Sequence, residues 1–403
     1  MAFLGSVKRE CDIRNRKNRN VREYNAPLRL NEYWANASGQ NFIITGGSET
    51  QRSHVLAAAV CAERRSIRGP LIILNGSAEY EKSFVSLAES GWLGSAVVSS
   101  PSYRNYDLFY GMSDISIRAL FEKAARERGI ADLNAFGDYT EAFLKILKCK
   151  YTPCFHSMFA MARQSDQAIA EFGSAYRVNS IYLNYIKDGV AGSSFRRILT
   201  DYGKAFLNIH CKKSTGFNIS QIDGLDKTYL IWTNSESQEL FNEVLAAELT
   251  YLRDTKGINY SVILNDVNLG EDDPLKPVIT VAKRRSALGV CCADVMAYVG
   301  EESFQKIITG NTPSLFVLNS GFEDHEDQRN ILAKYGTYNH FEPTKEVGAP
   351  PGLFHMPGDG ALHMGMIQFE RQRVTVEDMR GYAAAVRGNY GDTVSLYRRI
   401  EDG

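Results

Sequence analysis

The apolar run Phe42 to Thr45 ends in a glycine pair, and "GGSETQRS" then leads into a helical pattern. A phosphate-binding loop needs G-x-x-x-x-G-K-[ST] between a buried strand and a helix, so that backbone N–H groups wrap the phosphates, the lysine reaches the terminal ones and the hydroxyl holds Mg²⁺. On that template Gly46 is the first glycine, Gly47 follows it, Gln51 stands for the second glycine, Arg52 for the lysine and Ser53 for the hydroxyl. Two members are wrong. Gln51 puts a side chain where backbone must approach a phosphate, and the planar fork of Arg52 is bulkier than an ammonium. Taken alone, the segment reads as a tight strand-to-helix turn.

Other chemistry is sparse. Seven cysteines are scattered through the chain without a repeated C-x-x-C unit, the pattern of small buried groups in a reducing compartment. Cys149, Cys154 and His156 in "CKYTPCFH", with His210 and Cys211 further on, offer zinc-ligand types. Their spacing matches no common finger, so no metal is expected. There is no G-x-S-x-G or H-E-x-x-H, which leaves a hydrolase or metalloenzyme without support. The acidic runs "GEDDP" and "FEDHEDQ" read as carboxylates placed at helix N-termini, where the dipole favours them. A formal net charge of -1 gives no global field for nucleic acid. No apolar run is long enough to span a bilayer and the N-terminus lacks the core of a signal peptide, so a cytoplasmic location without a membrane span is expected.

The elements that must position these residues alternate. Strands are expected at Phe42–Thr45, Leu71–Leu74 and Ser95–Val98, with helices at Gln51–Ser66 and Glu79–Glu89 between them. From Ser116 to Ile209 the period becomes helical throughout. Alternation resumes with strands at Thr228–Thr233, Tyr260–Leu264, Gly289–Cys292 and Leu315–Leu318, and helices at Ser235–Arg253, Pro274–Ser286, Glu301–Ile308 and Glu323–Tyr335. A Pro/Gly-rich connector, "EVGAPPGLFHMPGDG", leads to an edge strand in "LHMGMIQFERQR" and a closing helix. Such alternation means a mostly parallel sheet with helices on both faces. The division expected is a basic N-terminal arm (1–38), the first part of an α/β domain (39–115), an all-helical insertion (116–209) and the second part of the α/β domain (210–403).

The segments around the loop resemble the conjugative coupling ATPases of type IV secretion, which are RecA-like P-loop NTPases. In "LIILNGSAEYEKSF" the positions Asn75, Gly76, Ser77, Ala78 and Glu79 stand where that family has D-P-K-G-E, and only Glu79 matches. "YDLFYGMSD" is similar to the family's short Asn-Pro segment before its helical domain, without the Asn-Pro. In "SVILNDVNLGEDDP" the strand ends in Asn265-Asp266 where the family has Asp-Glu, and Asn268-Leu269 is kept. Gly310-Asn311 is kept, Arg284, Arg285 and Gly289 stand near the family's arginine turn, and Ala293 replaces its phosphate-sensing Gln.

This resemblance implies a RecA-like fold with an all-helical insertion, in which Gly46, Gly47, Gln51, Arg52, Ser53, Asn265 and Glu79 form a degenerate nucleotide pocket. Asp266 would stand for the catalytic carboxylate and Arg284 or Arg285 for an arginine acting across a subunit interface, although cations at a helix C-terminus also simply favour the dipole. An amide at Asn265 cannot supply the carboxylate charge that supports Mg²⁺, and Asp266 is one methylene short. The expected function is therefore that of a pseudo-ATPase with no cofactor, or weak ATP/Mg²⁺, serving as structural or adaptor subunit of a secretion or conjugation machine. Its expected partners are machine proteins, an active coupling ATPase, copies of itself or DNA. Two other readings remain: an active P-loop ATPase with altered motifs that moves DNA or protein, with Ser53, Asp266 and Glu79 around a metal, and an unrelated α/β binding protein. The basic pairs Arg64-Arg65, Arg196-Arg197 and Lys212-Lys213 are candidate channel-lining groups or merely solvated faces.

Overall fold

A computed structural model describes residues 21–23, 28–29, 34, 39–211, 216–294, 304, 307–308, 314–318, 351–355 and 362–368. The expected helix at Glu323–Tyr335, the closing helix, Gly310-Asn311, Lys212-Lys213 and most of Glu301–Ile308 lie outside them.

Short β-rich runs form the strands β1 (Val21–Glu23), β2 (Leu28–Arg29), β3 (Phe42–Gly46), β4 (Leu71–Asn75), β5 (Ser95–Ser99), β6 (Lys227–Trp232), β7 (Ser261–Asn265), β8 (Leu288–Cys292), β9 (Ser314–Leu318), β10 (Pro351–His355) and β11 (Leu362–Gln368). They join one sheet in the order β1-β11-β10-β9-β3-β8-β7-β4-β6-β5, with β2 also against β11. From β9 to β5 every pairing is parallel. Strands β10 and β11 are antiparallel additions, each expected by the sequence as connector or edge. The edge expectation is corrected: β1 and β2, from the segment taken as a basic arm, pair with β11 in parallel.

The helices α1 (Glu49–Ser66) and α2 (Ala78–Glu89) cover one face. The helices α3 (Asp114–Glu127), α4 (Leu133–Lys148), α5 (Phe155–Ala162), α6 (Asp166–Ala175), α7 (Ser180–Lys187) and α8 (Gly192–Ala205) form the insertion, and α9 (Gln238–Thr250) and α10 (Leu275–Arg285) return to the sheet. Side chains alternate across a strand, which sorts the core. Phe42, Ile44, Leu71 and Ile73 join Val55 to Ala62 of α1 and Tyr80, Phe84 and Leu87 of α2. Ile43, Ile72 and Leu74 point the other way, into a second cluster that runs on through Val244 and Ile279 to Phe121, Phe143 and Phe195 of the insertion.

Helix α1 is buried from Arg52 to Arg64 all round. It is rich in alanine, which lets neighbouring elements approach on every side. Among the described residues no helix is long and apolar enough to cross a membrane.

Candidate functional site

Parallel α/β sheets place ligand sites beyond the carboxyl ends of their strands, where neighbouring connections diverge. Here β3 is that strand: the chain leaves it toward β4, and β9 returns on its other side. The carboxyl ends of β3, β7 and β4 border a cleft of about 400 Å³ lined by Glu49, Arg52, Ser77, Gln238, Asp266 and Asn268 among others.

The turn from β3 to α1 is very short. Gly46 and Gly47 adopt φ of 80° and 65°, the left-handed region that glycine enters freely. A Cβ on Gly47 would stand 2.7 Å from Leu318 Cβ. Ser48 then caps α1: its hydroxyl accepts the Gln51 N–H at 3.2 Å, and its own N–H donates to Gln51 Oε1 at 2.9 Å. This capping box satisfies two N–H groups by side chains of the turn itself. Glu49, Thr50 and Gln51, which on the template would wrap phosphate, are already helical.

Arg52 fills the turn from inside. Its Nη1 donates to the Gly47 carbonyl at 2.8 Å and the Gly46 carbonyl at 3.4 Å, and its Nη2 stands 3.4 Å from both carboxylate oxygens of Asp266. The carbonyl oxygens of Gly46 and Gly47 are thus turned toward the guanidinium. Asp266 has φ of 50°, which aspartate tolerates better than most residues. Burial raises its pKa, and Arg52 pulls it back down.

Asn265 is buried and donates through Nδ2 to Asn75 Oδ1 at 2.7 Å, across the register that pairs the two. Asn75 Nδ2 in turn donates to the Ser77 carbonyl at 2.8 Å. The two amides close on each other, and Gly76 makes this possible: a Cβ there would lie 2.2 Å from the Asp266 carbonyl oxygen. Ser77 Oγ donates to Glu49 Oε1 at 2.5 Å, which adds a carboxylate to the mouth of the cleft.

Of the residues expected at the site, the structure thus gathers Gly46, Gly47, Gln51, Arg52, Asn265 and Asp266. Ser53 is buried in α1, and Glu79 pairs with Lys82 at 3.4 Å on α2, neither of them among the residues lining the cleft. Arg284 and Arg285 are exposed in the last turn of α10. Arg64 is turned inward, donating to the carbonyls of Gly69, Lys227 and Ile67, and Arg196 pairs with Asp166. Both are internal ties. Sequence reasoning missed Glu49 and Ser77, whose contact joins α1 to α2 and carries no motif.

An added strand separates β3 from β7, the helices flank both faces, and a turn of two left-handed glycines enters a central buried helix. The fold is RecA-like. Solved structures similar to this chain include a bacterial conjugative coupling protein, TrwB, in complex with sulphate (12% identity, 89% of this chain and 91% of that one, TM-score 0.44). TrwB in complex with ADP and Mg²⁺ is also similar (11%, 89% and 92%, 0.43), as is VirB4 of Thermoanaerobacter pseudethanolicus (13%, 82% and 89%, 0.43). Strand order and register define the fold of this chain. No protein-family model and no curated protein matches the chain.

Proposed function

We propose that this RecA-like chain is a pseudo-ATPase, a coupling-protein-like subunit that serves a type IV secretion or conjugation machine as structural or adaptor component in the cytoplasm. The observation that carries the reading is Arg52: its guanidinium sits inside the β3–α1 turn, bound to two backbone carbonyls and to Asp266. A phosphate binding there would have to displace that cation and meet carbonyl oxygens, with the Glu49 carboxylate nearby. Two of the donors at that helix start, the Ser48 and Gln51 N–H groups, are already taken by side chains of the turn.

The Asn75–Asn265 amide pair supports the same reading, because it places neutral amides where a carboxylate would supply charge to Mg²⁺. Exposed Arg284 and Arg285 are left for contact with a partner subunit, a second copy or a true coupling ATPase. Calorimetry with millimolar ATP or ADP and Mg²⁺ tests the proposal. No saturable heat and no thermal stabilisation are expected; saturable binding that Arg52→Ala or Ser53→Ala removes would show a living nucleotide site and overturn it.

A further inference from the structure

The segments that enter and leave the helical insertion run side by side at its base. Tyr106 bridges in parallel to both His210 and Phe217, its N–H donating to the Ile209 carbonyl at 3.0 Å and its carbonyl accepting from the Cys211 N–H at 2.9 Å. This pairing sets Asp107 beside His210 and Cys211. One ligand-type atom from each lies within 4.8 Å of the other two.

Asp107 is wholly buried, and its backbone is fixed: the N–H donates to the Phe217 carbonyl at 2.7 Å and the carbonyl accepts from Asn218 Nδ2 at 2.8 Å. Yet neither carboxylate oxygen has a hydrogen-bond partner among the described residues, and nor does His210 Nδ1. Groups left so at a buried site are destabilising, and more so when charged. The nearby Phe155 N–H is engaged with the Leu108 carbonyl at 2.8 Å. The buried thiol of Cys154, which caps α5, lies beside the Asp107 carboxylate. Gly216 closes the cluster from above, where a Cβ would stand 2.6 Å from Asp107 Cβ and 2.8 Å from Cys211 Sγ.

We propose that Asp107, His210 and Cys211, with Cys154 as fourth ligand, bind one zinc ion that clips the base of the helical insertion. The donor set of one carboxylate, one imidazole and two thiols is that of a closed structural zinc site rather than of a calcium or magnesium site. Ligand atoms around tetrahedral zinc stand roughly 3.3–3.8 Å apart given its bond lengths, and those of Asp107, His210 and Cys211, all within 4.8 Å of one another, already stand near that spacing. The ion answers the orphaned oxygens and nitrogen, and ties residues 107, 154 and 210–211 across long loops, where cross-linking constrains the unfolded chain most. Cys149, exposed at the end of α4, and His156, exposed on α5, stay outside it.

The test uses full-length protein stripped with a chelator and titrated first with Co²⁺ and then with Zn²⁺. One Co²⁺ per chain is expected, with a sulfur-to-cobalt charge-transfer band that equimolar Zn²⁺ abolishes and a thermal midpoint that rises on loading. Cys211→Ser and Cys154→Ser should each remove about half of that band and weaken zinc on the order of tenfold or more, while Cys149→Ser matches the parent. Absence of stoichiometric metal from the unsubstituted protein, or a charge-transfer band unchanged in Cys211→Ser, would overturn the site. The unsubstituted titration decides even where a substituted chain fails to fold.

Discussion

Arg52 shows how one side chain changes what a loop is. As the template's cation it reads as a phosphate ligand, but with 8% of its side chain exposed, against 13% for Asp266, it is a structural bolt between the β3–α1 turn and the end of β7. Removing one member of a buried pair leaves the other charged and unpartnered. Arg52→Ala is therefore expected to lower stability by about 3 kcal/mol in urea denaturation, and Asp266→Ala added to it should cost little more. Full additivity of the two substitutions would show that the pair does not act as a unit. The sequence named both residues and assigned them to chemistry, because residue type and spacing do not tell which way a guanidinium points. Asp107 carried no signal at all, since its partners stand at positions 154, 210 and 211 and only the neck of the insertion brings them near.

At the scale of elements, the strands and helices were legible because buried parallel strands are short apolar runs and the helices keep a 3.6-residue period. Helix α1 begins at Glu49, two residues before the expected Gln51, and that shift turns a wrapping loop into a capped turn. The sheet helices also bury carboxyls. Glu63 on α1 accepts the Gly39 N–H at 2.9 and 3.0 Å and burial raises it to about 8. Glu248 on α9 accepts from Asn218 at 2.6 Å and from Tyr106, and burial raises it to about 7. A folded-state pKa above the unfolded value favours the native state at low pH, fully below about 4.5, and that contribution fades as pH rises through 7 to 8. The carboxylates held low by partners, Asp223 beside Lys227 and Asp226 on the Gly69 N–H, act in the opposite sense below the ordinary aspartate range. Thermal midpoints should thus be highest at about pH 5 and fall toward pH 8, and Glu63→Gln should flatten that fall. A midpoint rising from pH 5 to 8 in both proteins would contradict this assignment.

At the scale of the molecule, the insertion and the sheet share a core. Phe121 in α3 packs on Phe195 at 4.8 Å, Tyr202 at 5.5 Å and Phe109 at 5.7 Å, in the same cluster as Ile43, Ile72 and Leu74 of the sheet. Phe121→Ala is expected to cost about 3–5 kcal/mol. The three tryptophans, Trp34, Trp92 and Trp232, all lie outside the insertion. Their fluorescence midpoint should fall together with the far-ultraviolet helix signal; a tryptophan midpoint left unchanged would show two independently folding units. The sequence by itself determined the elements, their alternation, the helical insertion and the glycine turn, because local periodicity and backbone freedom are written in neighbouring residues. Only the tertiary structure decided that β1 and β2 close over β11, that Arg52 turns into its own loop, that Asn75 meets Asn265, and that Asp107 lies against His210 and Cys211. Apart from the short reach of Arg52 to Gly46 and Gly47, those contacts join residues distant along the chain, and their geometry is set by strand register and packing rather than by any short-range pattern.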